Sequence, residues 1–132
     1  MFDSHPHLDF ASTQSEQEAS GVIVLSMAKR VLHANRTARG LTGVLSGDSL
    51  SGSDAPRVLH LPRSLQDFSE RVLIQLEKRI AAEDWSRFEI KQILRAAGRD
   101  FLLRGFGLPD KVRRQQSRIL LTLRPVTHSY AA

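Results

Sequence analysis

The chain reads as an α+β domain, a β-sheet covered on one face by helices. Three observations predict it. Two short apolar runs joined by a polar turn occupy Gly21 to Ala34. One long amphipathic helical stripe starts at Ser64. Three strand-like segments with short turns then follow between Phe88 and Arg124. A sheet with one apolar face must bury it against another element, and the long helix supplies the cover.

Each element has its own warrant. Val22-Ile23-Val24-Leu25 is a β-branched run and a strand by composition. Ser26 to Arg30 makes the turn, and Val31-Leu32-His33-Ala34 is the return strand. Asn35 suits a helix N-cap, since its side chain can accept a backbone N–H two or three residues on. The helix it opens runs through Arg36-Thr37-Ala38-Arg39 and is expected to end near Gly40 to Gly43. The Ser-, Gly- and Asp-rich stretch LSGDSLSGSDAP reads as a loop. Ser64, with Asp67 three residues later, reads as a capping-box variant. Leu65, Phe68, Val72, Leu76 and Ile80 then fall on one stripe, widened by Leu73. Phe88 to Leu94, Phe101 to Leu108 and Arg118 to Arg124 follow as an antiparallel meander. Before all this, residues 1–20 form a polar extension, with a short helix predicted over Thr13 to Ala19.

Composition narrows the function. At 132 residues the chain fits one domain, expected over residues 21–126. No apolar run approaches the ~18 residues of a membrane span. The start, MFDSHPHLDF, lacks the basic and apolar regions of a secretory signal, so a cytoplasmic location is expected. There is no cysteine, which removes disulfides, thiolate catalysis and Cys-ligated metal. Charge is uneven. Residues 1–28 hold Asp3, Asp9, Glu16 and Glu18 and no Lys or Arg, whereas residues 87–125 hold ten bases and three acids. That basic half admits a nucleic-acid reading through Arg95, Arg99, Arg104, Arg113, Arg114 and Arg118. The bases are dispersed with few aromatics among them, so solvated strand faces are the favoured reading.

Catalytic motifs are missing from the sequence. No Ser-His-acid set, phosphate loop or metal-ligand spacing is present. Gly105-Phe106-Gly107 lies in a strand and lacks the strand-to-helix context of a nucleotide loop. His5-Pro6-His7 offers two imidazoles and no third ligand. Asp48 and Asp54 sit in the polar loop and suit solvation. A ketosteroid-isomerase-like enzyme would need a buried acid, and Glu89 is the strand candidate. Trp85 reads as a packing residue at the helix end.

The order strand, strand, short helix, loop, long helix and three strands resembles the PAS family over nearly the whole chain after Ala19. The resemblance rests on Gly21-Val22-Ile23-Val24-Leu25, Lys29-Arg30, Val31-Leu32, Ala34-Asn35 and Ala38, and on the closing meander from Phe88 to Pro125. Ser26-Met27-Ala28-Lys29 replaces the small turn residues usual in that family. The resemblance implies one five-stranded antiparallel sheet with helices on one face. It also implies a sensory or dimerising module of a bacterial signalling or transcription regulator, and not an enzyme. An output domain, DNA-binding or kinase, is expected beyond the tail 127–132. The acidic N-terminal segment is a candidate cover for the outer sheet face or for a second copy.

The family's cofactor chemistry is then testable against the residues. Flavin adducts and thiol-linked chromophores need a cysteine, which the chain lacks. Haem needs an axial ligand. The predicted long helix has no His, which leaves His60 just upstream as the only reasonable ligand and disfavours haem. A small apolar ligand remains, in a pocket expected to be lined by Val24, Leu41, Leu65, Phe68, Val72, Ile90, Leu103 and Leu121. The competing reading is that the same side chains simply fill the core.

Overall fold

In the computed structural model, residues 20–46 and 60–126 are described. The predicted helix at Thr13 to Ala19, the loop residues Asp48 and Asp54, His5 and His7, and the tail from residue 127 lie outside them. The elements are β1 (Gly21–Ser26), β2 (Val31–Ala34), α1 (Arg36–Ser46), α2 (Arg63–Ala81), β3 (Phe88–Ala96), β4 (Arg99–Leu108) and β5 (Arg118–Pro125). A 3₁₀ turn at Arg114–Gln116 precedes β5. The five strands form one antiparallel sheet in the order β2-β1-β5-β4-β3. The first strand is therefore next to the last, inside the sheet.

Both helices pack on one face. Ile23 and Leu25 of β1, Phe101 and Leu103 of β4, and Ile119, Leu121 and Leu123 of β5 are buried. They meet the α2 stripe of Leu65, Phe68, Val72, Leu73, Leu76 and Ile80, as the periodicity predicts. Gly105 marks the closest approach of α2 to the sheet: a Cβ there would lie 2.4 Å from Val72 Cγ2 and 3.0 Å from Phe68 Cε2. Trp85 packs, half-buried, against the same core.

Local chemistry fixes the joints. In the β1–β2 turn, Ser26 Oγ accepts the N–H groups of Ala28 and Arg30. The positive φ of 63° falls on Lys29. The β3–β4 turn puts positive φ on both Ala97 (55°) and Gly98 (73°), the geometry of the hairpin turn that matches strand twist.

Two boundaries differ from expectation. α1 does not end near Gly40 to Gly43 but continues to Ser46. Each glycine costs about 1 kcal/mol in a helix, yet Ala38, Thr42 and Leu45 keep a stripe against the core, and that packing decides. Ser64 is not the cap of α2. The helix begins at Arg63, and Pro62 holds the cap position with no side-chain hydrogen bond. Pro62 O accepts the N–H groups of Leu65 and Gln66, while Gln66 Nε2 donates to Leu61 O at 2.7 Å. Proline's fixed φ sets the entry, so the serine is already one residue inside.

Candidate functional site

Of the eight residues expected to line one pocket, seven lie on the helix side of the sheet and Val24 does not. Leu65, Phe68, Val72, Leu103 and Leu121 are 0–1% exposed and interlocked in the core. Leu41 and Ile90 pack half-buried against it. Val24 lies across the sheet from all of them. It pairs with Leu120 and His33, between the buried Ile23 and Leu25, so alternation turns it to the outer face. Its assignment to an inner pocket is corrected accordingly: β1 is apolar on both faces, and an apolar run carries no alternation to read.

An open space lies at the sheet edge. A half-open cleft of about 710 Å³ is bounded by β2, the first turns of α1 and the entry to α2. Its walls include Lys29, Arg30, His33, Arg39, His60 and Gln66, with Val31, Leu32, Ala34 and Leu61 as the apolar part. Among the described residues that line it there is no carboxylate. Lys29 is bonded to Glu70 outside the cleft. Arg30 and Arg39 have no carboxylate partner among the described residues. Two guanidinium groups on the wall of one space favour an anion there.

Sequence reasoning singled out His60 but missed Arg30, Arg39 and Gln66. One signal was available: from Ala19 to Gly47 the chain carries Lys29, Arg30, Arg36 and Arg39 and no acid. Exposed His60 stands on the cleft wall with His33. No group of three metal-ligating side chains occurs among the described residues.

Asn35 sits at the junction of β2 and α1. Its Oδ1 accepts the N–H of Ala38 at 2.8 Å, as an N-cap should, and also the N–H of Val22 at 3.0 Å. Its Nδ2 donates to Ser20 O at 3.3 Å. One side chain thus ties α1 to the start of β1.

Glu89 is exposed on the outer sheet face and ion-paired with Arg104. The Arg104 hydrogen bond holds its carboxyl below the usual range. It is not the buried acid that an isomerase-like reading needs. The six arginines of the nucleic-acid reading are not brought together. Arg99 opens β4 while Arg118 faces the far end of that strand, roughly 30 Å apart at strand rise. Arg95, Arg104 and Arg114 are each within ion-pair distance of a carboxylate.

The PAS domain of Bordetella pertussis BvgS is similar over 96% of this chain and 90% of its own, at 16% identity and a TM-score of 0.52. The fold is PAS-like. A domain of an HTR-like protein from Haloarcula marismortui also matches, over 83% of this chain and 99% of its own, with 14% identity and a TM-score of 0.49. A sensory box histidine kinase from Vibrio cholerae matches 96% of this chain and 99% of its own, at 12% identity and a TM-score of 0.45. No protein-family model matches the sequence, and no curated protein does. In the PAS-like frame β2 is an edge strand, and the basic cleft opens beside it.

Proposed function

We propose that this chain is a sensory and protein-association domain of a bacterial signalling protein, and that its signal is a small anion held in the basic cleft. The observation that carries this is the cleft wall, with Arg30, Arg39, His33 and His60 on a PAS-like fold and no acid among them. Carboxylate and phosphate ligands match guanidinium donors in pairs, and the apolar residues Val31 and Leu61 would pack a short carbon chain. The domain acts in the cytoplasm as a homodimer coupled to an output domain, kinase or transcriptional. Catalysis is no part of this reading.

Purified protein screened against small mono- and dicarboxylates and inorganic phosphate tests it. At least one should raise the melting temperature and appear as a bound mass in native mass spectrometry. Arg39→Ala should weaken that ligand about tenfold, the loss of one charge-assisted bond. If no anion shifts melting at millimolar concentration, the ligand reading fails. A strictly monomeric sedimentation profile would remove the homodimer.

A further inference from the structure

The sheet has two open edges, β2 and β3, and they are unlike. β2 is four residues long, shifts its register against β1 between Val24 and Leu25, and borders the cleft. β3 is nine residues long and pairs with β4 without a bulge, from Phe88 opposite Gly107 to Ala96 opposite Arg99. No described strand pairs with its other side. A long regular edge recruits another strand unless proline, a bulge or charge blunts it. β3 has no proline and no bulge, so its charges decide which strand it accepts.

Those charges are self-complementary. Glu89, Lys91, Ile93 and Arg95 alternate on the exposed outer face, while Phe88, Ile90 and Leu94 pack half-buried against the core on the helix side. When a second β3 lies antiparallel with Gln92 opposite its own copy, Glu89 faces the partner's Arg95. Ile90 then faces the partner's Leu94. Lys91 faces the partner's Ile93, a side chain 56% exposed in the single chain, and its methylenes can cover it. Two-fold symmetry makes each pair twice. This register uses the whole strand, and its neighbours are worse. Centred on Lys91, the pairing sets that lysine against itself. Centred on Ile93, it sets Lys91 against the partner's Arg95. Like charges directly opposite are destabilising. Centred on Ile90, it joins only Phe88 to Gln92.

Ion pairs inside each chain extend the match. Glu89 already holds Arg104, and Arg95 already holds Asp100. Edge pairing joins them into a row of alternating sign: Arg104, Glu89, the partner's Arg95, the partner's Asp100. On the helix side Arg71 Nη1 donates to Gln92 Oε1, so α2 braces the middle of the edge. We infer that two copies join through β3 in the register centred on Gln92, a placement that rests on the homodimer reading and names its interface. A strand edge about 30 Å long covers less than the about 800 Å² per partner of a standard interface. The dimer should therefore be reversible, with a Kd on the order of micromolar.

Sedimentation of the full chain at concentrations up to about 100 μM tests this. Glu89→Arg alone and Arg95→Glu alone set like charges opposite and should each weaken the dimer about tenfold or more. An equimolar mixture of the two variants should dimerise again, since one chain then carries arginine and the other glutamate at both positions. Melting followed by circular dichroism checks that each variant folds. Should one fail to fold, single cysteines in the otherwise native, cysteine-free chain decide the matter. Gln92→Cys should oxidise to a linked dimer, because Cα atoms opposite each other lie about 4.5–5.5 Å apart, within disulfide reach. Ala96→Cys, about 25 Å from its copy along the strands, should not. A dimer unchanged in both charge variants, or equal linking at the two cysteine positions, overturns the β3 interface and leaves a homodimer through another surface. A wild-type chain monomeric throughout removes the homodimer as well. Neither result touches the anion reading of the cleft.

Discussion

Asn35 shows how much one side chain can hold. Its carbonyl oxygen caps α1 and at the same time closes the β1 backbone at Val22. Asn35→Ala removes both and leaves two N–H donors without that partner, a loss of about 2 kcal/mol. Urea unfolding should show the drop at unchanged slope. Gly105 works by having no side chain. Gly105→Ala forces a methyl group into Val72 and Phe68 and should cost about 1–3 kcal/mol. Glu89 sets a pH dependence. Its carboxyl is held low by Arg104, so the folded state binds that proton less readily than the unfolded chain. The contribution is present above the ordinary glutamate pKa and is lost as pH falls through the lower folded value. Wild type and Glu89→Gln should therefore differ most near neutrality and converge in acid, by urea midpoints across pH.

At the level of elements, α2 is the main closure of the core. Phe68 is 1% exposed and touches the space over Gly105. Phe68→Ala should cost about 3–5 kcal/mol, measured by thermal or urea unfolding. This helix was legible because its stripe repeats at helical period on a polar background. The meander was legible because each segment alternates between clear turns. The starts and ends of helices were harder. Pro62 and Ser64 both offer an entry to α2, and the restriction on φ beat the hydroxyl. α1 carries glycines that argue for an end, and packing of Leu45 overrode them. Val24 went to the wrong face because β1 is apolar on both faces, which erases the alternation that assigns them.

Across the whole molecule, the unread part is what long-range pairing decides. Sheet order depends on β1 finding β5, from Gly21 opposite Leu123 to Ser26 opposite Arg118, and no local signal specifies that meeting. The cleft's shape was unreadable for the same reason, though its basic stretch from Ala19 to Gly47 was not. Arg30, Arg39 and His60 come from three separate parts of the chain and converge only once α2 is seated. Pairing strands so far apart in sequence closes a long loop before it is rewarded, which predicts slow folding, in the millisecond-to-second range of β-rich domains. Stopped-flow refolding would check the rate. The β1–β5 pairing also has a mechanical consequence. Gly21 and Leu123 are register partners, so the chain enters and leaves the sheet side by side. Tension between flanking segments would load the ladder at that end and part its hydrogen bonds one after another, as a zipper opens. The two central strands are thus strong against heat and weak against a pull, and a small displacement of either flank is delivered directly to the other.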